Sequence, residues 1–259
     1  MAEQNKFADV PLRVKTWIYI ILTFTIALLH PILLLWFVVF LSFWGQKELF
    51  SFTMPKLKNS LFLLIGVTVI QLLYFPSKPF AESSLYLIGY FILVGIFILI
   101  QQKKYTLFFA TIVAYVLSIS TLYYIGRMDN GYKLLILLIV PVELNDVFQY
   151  LSGKLFGKRK IAPSISPNKT VEGLLGGVIC TTIVFTTLYY LLDGSFYLWQ
   201  VILLGATLSV LGFLGDVFFS FIKRKANVKD TGTLLPGHGG LLDRVDSLLF
   251  TAPLFYFII

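Results

Sequence analysis

Charged residues are scarce in this sequence. Only 13% of its 259 residues are Asp, Glu, Lys or Arg, whereas 58% are hydrophobic, and the mean hydropathy is +0.85. In soluble globular domains roughly a quarter of the residues are charged. The composition therefore excludes an ordinary soluble domain and predicts an integral membrane protein.

Cysteine and histidine are almost absent, with one cysteine, Cys180, and two histidines. A single thiol forms no intrachain disulfide, and so few soft ligands exclude a cysteine-rich metal site. Acidic residues are also few, 13 against 21 basic ones, which leaves a net charge of +8. The basic residues lie in short loops beside apolar segments, where such residues fix topology or meet anionic lipid headgroups. No nucleic-acid partner is expected, because that function needs a basic face on a soluble domain.

Long hydrophobic runs, by contrast, fill the chain. A helix needs about 20 apolar residues to cross the hydrocarbon layer of a bilayer. Seven runs are predicted as spans: Leu61–Phe75, Leu85–Gln101, Tyr105–Ile125, Tyr132–Leu151, Val171–Leu192, Leu198–Ile222 and Leu241–Ile259. No repeat or long linker separates them. Residues 1–259 are therefore expected to form a single membrane domain, with N-terminal helices in 1–126 and the polar motif loops in 127–259.

The first apolar stretch, Trp17–Trp44, has a length that fits neither one span nor two. As a helix its residues would extend about 42 Å, too long for one upright span. A helical hairpin broken at His30 and Pro31 is preferred, because it places the basic N-terminal segment on the side of the basic loops at 154–169 and 223–244. The positive-inside rule assigns that side to the cytoplasm. The prediction is an all-α polytopic membrane protein, a single bundle of nine helices, or eight if the stretch is one span, with a polar site at its cytoplasmic face.

Polar residues concentrate in one stretch near the C-terminus, Asp216–Asp246, which holds four carboxylates, five cationic side chains and a glycine-flanked histidine. Ionisable side chains within membrane spans are costly and are interpreted as functional. Five carboxylates from four spans are predicted to lie in the cytoplasmic third of the bundle: Asp146, Glu172, Asp216, Asp243 and Asp246. Their common depth predicts one polar site.

Two of these acids, Asp243 and Asp246, are three residues apart. On a continuous helix this spacing places both carboxylates on one face. Carboxylates without histidine or thiolate neighbours suit a hard cation such as Mg²⁺. The structural alternative is that Asp243 caps the last helix and Asp246 pairs with a cation such as Arg244.

Basic and glycine-rich segments accompany the acids. The glycine-rich segment Pro236–Gly240 precedes a predicted helix and offers backbone N–H groups to an anion. Ser166 and Pro167 predict the start of another helix, with Lys169 and Glu172 on its first turns. Nine basic residues lie nearby in the sequence: Lys154, Lys158, Arg159, Lys160, Lys169, Lys223, Arg224, Lys229 and Arg244. Hard-cation ligands and phosphate binders at a membrane boundary predict phosphoryl or nucleotidyl transfer on a lipid headgroup.

These motifs resemble the signature of the phosphatidate cytidylyltransferases, or CDP-diacylglycerol synthases. The first block comprises Ser220–Arg224, Lys229–Gly232 and Leu235–Asp246, and its spacing agrees throughout. A second block looks like the other cytoplasmic segment of that family: Asn145, Asp146, Gly153, Phe156–Lys158, Pro163, Ile165–Pro167, Lys169, Thr170, Glu172 and Gly173. The resemblance extends from about Asn145 to the C-terminus.

The resemblance implies the transfer of CMP from CTP to phosphatidate, which gives CDP-diacylglycerol and pyrophosphate. It implies a divalent cation, Mg²⁺ or Mn²⁺, and direct attack of the lipid phosphate on the α-phosphorus of CTP. A second, monovalent cation and a homodimer are left open. A bacterial plasma membrane is the expected location, with the site facing the cytoplasm, and an organelle membrane is the alternative.

The resemblance also implies roles for particular residues. Asp216, Asp243 and Asp246 would bind the metal and, with Lys223 and Arg244, act in catalysis. Substrate binding is implied for a second set: Asp146, Ser166, Lys169, Thr170, Glu172, Arg224, Lys229, Asp230, Gly237, His238, Gly239 and Gly240. For His238, a hydrogen bond that orders the loop is the alternative.

Three residues depart from the family pattern. Phe219 stands where the family usually has glutamate, Gln149 where a small residue is common, and Val171 where tryptophan is common. These changes leave the acceptor lipid open. The alternatives are therefore a CTP-dependent enzyme for another lipid, including a polyprenol-type kinase, and a non-catalytic lipid-binding or transport protein. A CDP-alcohol phosphotransferase is disfavoured, because its Asp-Gly-x-x-Ala-Arg element is missing.

Overall fold

The computed structural model describes residues 10–54, 60–101, 105–192, 194–235 and 239–259. Within these ranges the chain forms ten α-helices and two short β-strands. Their order is α1 Val10–Leu28, α2 Pro31–Thr53, α3 Ser60–Tyr74, α4 Phe80–Gln101, α5 Thr106–Gly126, α6 Gly131–Phe156, β1 Lys160–Ala162, β2 Ser166–Thr170, α7 Val171–Leu192, α8 Leu198–Lys225, α9 Leu242–Val245 and α10 Leu248–Ile258.

The helices are long and apolar. Five of those described, α2, α5, α6, α7 and α8, are long and apolar enough to cross a membrane by length and composition. Four shorter apolar stretches, in α1, α3, α4 and α10, add to them. The predicted class of an all-α membrane protein is confirmed at this level, whereas the number of spans and the side on which the site lies stay predictions.

The chain breaks at the predicted position in its first apolar stretch. Helix α1 ends at Leu28, and α2 begins at Pro31. Between them His30 is extended, with φ −155° and ψ 139°, and its Nδ1 accepts a hydrogen bond from the Ile32 N–H at 3.2 Å. Proline fits the first turn because it needs no N–H partner there. Helix α2 then continues to Thr53, nine residues beyond the end of the apolar stretch at Trp44.

The prediction of a helix start at Ser166 and Pro167 is wrong. These residues lie in β2, which pairs antiparallel with β1 so that Ala162 faces Ser166. The helix begins later, and its cap is Thr170, whose Oγ1 accepts from the Gly173 N–H at 3.0 Å. Serine before proline suits an edge strand as well as a helix start, and the pairing with β1 decides between them.

The predicted last span, Leu241–Ile259, is also not one continuous helix. It divides into α9 and α10 at Asp246 and Ser247. The Asp246 Oδ1 accepts from the Ser247 N–H at 2.9 Å, a local side-chain bond that competes with helical hydrogen bonding. The inference that a continuous helix places Asp243 and Asp246 on one face is therefore wrong.

The chain divides into two compact units. Unit 1 comprises Met1–Leu117 and Asp230–Arg244, and unit 2 comprises Ser118–Lys229 and Val245–Ile259. In unit 1 the buried Tyr115 hydroxyl donates to the Leu41 carbonyl at 2.7 Å and so links α5 to α2. Each unit holds some of the predicted site residues.

Unit 2 is built around the buried side chain of Asn145 on α6. Its Oδ1 accepts from the Thr181 hydroxyl of α7 at 3.0 Å and from the Ser209 hydroxyl of α8 at 2.6 Å. Its Nδ2 donates to the Ser209 carbonyl at 3.1 Å. Polar bonds of this kind join helices where apolar contacts cannot distinguish protein from lipid. Asn145 thus holds together the three helices that carry Asp146, Glu172 and Asp216.

Candidate functional site

The most direct charge contact among the predicted site residues joins Lys169 to Asp216 in unit 2. The Lys169 Nζ lies 2.5 Å from the Asp216 Oδ2, and the two side chains are only 14% and 26% exposed. The Ser220 hydroxyl, one turn further along α8, donates to the Asp216 Oδ1 at 3.3 Å. The same ammonium lies 4.5 Å from the centre of the Phe213 ring. Strand β2 therefore brings a cation to a partly buried acid of α8.

Asp246 lies beside the same part of α8. Its side chain is buried, and Gly215, the residue before Asp216, packs against its backbone so closely that a Cβ at Gly215 would lie 2.5 Å from the Asp246 carbonyl oxygen. Unit 2 thus brings together the segments that carry two of the three predicted metal ligands. Asp146 lies on α6 with its Oδ1 buried.

The β1–β2 hairpin is held by two predicted substrate-binding residues. The Glu172 Oε2 accepts the backbone N–H groups of Lys158 at 2.9 Å and Arg159 at 3.1 Å. The Arg224 guanidinium donates from Nε to the Ile165 carbonyl at 3.2 Å and from Nη1 to the Val228 carbonyl at 3.1 Å. Both side chains therefore bind backbone, which gives them a structural role, and their substrate contacts stay predictions.

In unit 1 the Asp243 carboxylate accepts hydrogen bonds from backbone N–H groups and from a hydroxyl. Its Oδ2 accepts from the Thr231 N–H at 3.1 Å, the Thr231 hydroxyl at 3.0 Å and the Gly240 N–H at 3.1 Å. Gly239, with φ +84°, accepts at its carbonyl from the Leu235 N–H at 2.9 Å. The predicted Asp243, Gly239 and Gly240 therefore come together. The predicted Gly237 and His238, with Pro236, lie outside the described residues.

The residue that sequence reasoning missed is Glu48. It lies on α2, its side chain is buried, and its carboxylate accepts from the Leu241 N–H at 2.9 Å and the Leu242 N–H at 3.0 Å. The sequence does contain a signal for Glu48: it is an acid directly followed by the apolar residues Leu49 and Phe50. Ionisable residues inside apolar helices are functional candidates. Ending the predicted apolar stretch at Trp44 hid that signal.

The remaining predicted residues lie at helix ends and on the hairpin. Lys223 and Arg224 are in the last turn of α8, and Lys229 and Asp230 are exposed. Arg244 lies on α9 with its Nε buried. Ser166 belongs to β2 and Thr170 caps α7. Their roles in substrate binding and catalysis stay predictions.

The donors available for a metal are hard. Carboxylate oxygens of Asp216, Asp243 and Asp246, without a thiolate among the described site residues, suit Mg²⁺ or Mn²⁺ by their chemistry. One oxygen of Asp243 and one of Asp246 already accept hydrogen bonds, as described above. Within either unit, no group of three or more His, Cys, Asp or Glu side chains among the described residues is arranged to hold a metal.

The three departures from the family pattern occupy different environments. Phe219 is 1% exposed and packs edge-on against Phe218. Gln149 is buried, and its Nε2 has no hydrogen-bond partner among the described residues. Val171, the first residue of α7, is exposed. An aromatic ring at 219 therefore fills a buried position on α8 that a glutamate would charge.

Comparison with known proteins identifies relatives along the whole chain. The sequence model of the cytidylyltransferase family matches residues 11–259. The chain is 36% identical over 272 residues to the "Uncharacterized protein YnbB" of Escherichia coli (strain K12), a match that covers 99% of this chain and 89% of that protein. It is 33% identical over 237 residues to the phosphatidate cytidylyltransferase of Staphylococcus saprophyticus, with 86% and 88% covered.

A shorter region is more similar still. Over 144 residues the chain is 45% identical to the phosphatidate cytidylyltransferase of Staphylococcus aureus (strain COL), which covers 55% of this chain and 54% of that protein. The family match begins at residue 11 and so reaches far upstream of Asn145, where the motif resemblance began. With 33% and 36% identity to relatives along most of their length, the resemblance is confirmed, and the chain belongs to the cytidylyltransferase family.

Proposed function

We propose that this protein is a phosphatidate cytidylyltransferase, which transfers CMP from CTP to phosphatidate and releases pyrophosphate. The family membership and the names of two relatives support this activity. The structural observation that carries it is the pair of Lys169 and Asp216, a cation and an acid held partly buried at 2.5 Å. Such a pair suits a site that must bind phosphate and neutralise its charge.

The proposed reaction needs no nucleophilic side chain. A non-bridging oxygen of the lipid phosphate forms a bond to the α-phosphorus of CTP, and the bond between that phosphorus and the bridging oxygen to the β-phosphorus breaks. Pyrophosphate leaves with the electron pair of the broken bond. The protein has to hold two anions in line, which converts an encounter between repelling reactants into a reaction within one complex.

The cations of the chain supply the positioning. Lys169, Lys223 and Arg244 are proposed to bind phosphate oxygens and to offset the charge that builds up on them. Asp216, Asp243 and Asp246 are proposed to hold Mg²⁺ or Mn²⁺. A divalent cation bound there would polarise phosphoryl oxygens as a Lewis acid. Asp216 also holds the Lys169 ammonium in place.

The proposed location is the bacterial plasma membrane, with the site on the cytoplasmic side. The named relatives are bacterial proteins, and five of the described helices are long and apolar enough to span a bilayer. The β1–β2 hairpin and the end of α8 carry exposed Lys158, Arg159, Lys160 and Lys225. Clusters of this kind remain in the cytoplasm during membrane insertion.

A different acceptor lipid is the second candidate. It is favoured by Gln149, whose buried Nε2 lacks a hydrogen-bond partner among the described residues, and by the aromatic ring of Phe219. Both change the size and polarity of positions that belong to the family motif. The reaction type is the same in this candidate, and only the lipid that supplies the attacking phosphate differs.

Incubation of the purified protein in lipid nanodiscs with CTP, Mg²⁺ and defined lipids tests the proposal. We expect CDP-diacylglycerol and pyrophosphate in equal amounts with phosphatidate, identified by mass. A CDP-lipid formed only from another phospholipid would instead support the second candidate. Release of CDP together with a phosphorylated alcohol, or no turnover with any lipid, would contradict cytidylyl transfer.

A further inference from the structure

Glu48 is a buried acid on a helix that is apolar enough to cross a membrane. Its side chain is 6% exposed, and it lies five residues before Thr53, the last residue of α2. A buried carboxylate is unfavourable unless hydrogen bonds replace its water. It belongs to neither motif block of the sequence, so its environment has to explain why an acid is placed there.

The hydrogen bonds of Glu48 come from the segment that carries Asp243. Its Oε1 accepts from the Leu241 N–H at 2.9 Å. Its Oε2 accepts from the Leu242 N–H at 3.0 Å and lies 3.2 Å from the Thr231 hydroxyl, whose one proton is shared between Glu48 and Asp243. Both oxygens are therefore engaged, and two successive backbone N–H groups bind one carboxylate in a two-pronged arrangement.

The neighbouring glycines fit this arrangement by their lack of a side chain. A Cβ at Gly232 would lie 2.9 Å from the Glu48 Oε1, and a Cβ at Gly240 would lie 2.7 Å from the Glu48 Oε2. Both distances are too short for a carbon and an oxygen that are not bonded. A side chain at either position would therefore require the Glu48 carboxylate or the segment to move.

Thr231 connects Glu48 to Asp243. Its hydroxyl lies 3.2 Å from the Glu48 Oε2 and 3.0 Å from the Asp243 Oδ2. Asp243 also accepts from the N–H groups of Thr231 at 3.1 Å and Gly240 at 3.1 Å. Glu48 thus contacts Thr231, which itself donates to Asp243, and it binds Leu241 and Leu242, the two residues between Gly240 and Asp243.

We infer that Glu48 is a positioning residue that orders the residues around Thr231 and Leu241 and thereby sets the orientation of the Asp243 carboxylate. Its effect on turnover rests on the proposed function, because Asp243 acts in that reaction. Its effect on the order of the segment does not, since that follows from the hydrogen bonds alone. The two effects can therefore be measured separately.

The test compares Glu48→Gln with the wild type in nanodiscs. Glutamine keeps the size of the side chain, but its NH₂ group cannot accept one of the two backbone N–H groups. We expect faster hydrogen–deuterium exchange at the amides of Leu241 and Leu242, and a fall in kcat of about 10- to 100-fold, the range for residues that orient a functional group. The KM for CTP should change less than kcat.

The matched control is Glu82→Gln in the same unit. Glu82 forms an exposed ion pair with Lys78 at 2.9 Å, so the same chemical change should leave exchange around Leu241 and turnover unaltered. Wild-type exchange at Leu241 and Leu242 in Glu48→Gln would overturn the inference. So would faster exchange with unchanged kcat, because Glu48 would then not position Asp243 for the reaction.

A second variant covers the case in which Glu48→Gln does not fold. In Gly232→Ala the added methyl group pushes the Glu48 carboxylate away from the segment that contains Leu241. Amide exchange at Leu241 and Leu242 should therefore become faster and kcat should fall, as in Glu48→Gln. Unchanged exchange and kcat in this variant would overturn the inference. If the wild type itself makes no CDP-lipid, the proposed function fails, and the exchange measurement alone decides whether Glu48 orders the Asp243 segment.

Discussion

At the scale of single residues, the pair of Lys169 and Asp216 shows how an acid holds a lysine ammonium in a partly buried position. Neither side chain is fully enclosed by protein, yet the two are only 14% and 26% exposed. Exposed ion pairs contribute little to the stability of the folded protein. A partly buried pair costs more to break, because removing one partner leaves the other charge without compensation.

Replacement of the lysine should therefore impair the reaction strongly. We expect Lys169→Met to lower kcat by about 100- to 1,000-fold, the usual effect of removing a group that stabilises developing charge. The measurement is CTP- and phosphatidate-dependent release of pyrophosphate. Lys78→Met serves as the control, because it removes a lysine from an exposed pair, and its kcat should equal that of the wild type. Equal kcat values for Lys169→Met and Lys78→Met would contradict a role for Lys169 in the reaction.

At the scale of helices and strands, buried polar contacts decide how α6, α7 and α8 cross. Thr181 donates to Asn145 from a fully buried position, whereas Thr187, on the same helix, donates to the carbonyl of its own turn at an exposed position. The first bond joins two helices and the second does not. Only the first should contribute to the stability of unit 2.

This difference gives a stability prediction. Thr181→Val, which keeps the shape of the side chain, should destabilise the protein by about 0.6–1.7 kcal/mol, the range for hydrogen bonds between membrane helices. Thr187→Val should leave stability unchanged within experimental error. Unfolding of both variants in the same detergent, followed by circular dichroism, measures the difference. Equal stability would show that the Asn145 contacts do not hold α6 to α7.

At the scale of the whole molecule, the orientation in the membrane is the property that the proposed function needs most, since CTP is supplied in the cytoplasm. Lys158 precedes the β1–β2 hairpin, and Asp129 lies in the connection between α5 and α6; both are exposed. The positive-inside rule predicts that the hairpin side is cytoplasmic. The α5–α6 connection is then expected on the outer side.

Cysteine labelling tests this orientation, because the chain has a single cysteine, Cys180. In a Cys180→Ser background, Asp129→Cys should react with a membrane-impermeant maleimide in cells whose outer layers admit the reagent. Lys158→Cys should react only after the plasma membrane is opened. The reverse pattern would contradict the proposed cytoplasmic site. Labelling of both positions in closed cells would contradict the prediction that α6 crosses the membrane between residues 129 and 158.

The amino-acid sequence by itself determined the properties that depend on local composition. Apolar runs of sufficient length predicted the helices, since a bilayer leaves the backbone of such a run no other partner for its polar groups. Pro31 marked the break between α1 and α2, because proline lacks the N–H that a continuous helix needs. Motif spacing indicated the family, which the match over residues 11–259 confirmed.

Only the tertiary structure decided the contacts between residues far apart in the chain. Ser166 and Pro167 are compatible with a helix start or a strand, and pairing with β1 selects the strand. Asp246 lies where the last helix is interrupted between α9 and α10. Helical spacing alone placed Asp243 and Asp246 on one face, because it assumed a continuous helix. Glu48 binds N–H groups 193 and 194 residues away. Its role depends on where the chain returns, and no local pattern encodes that position.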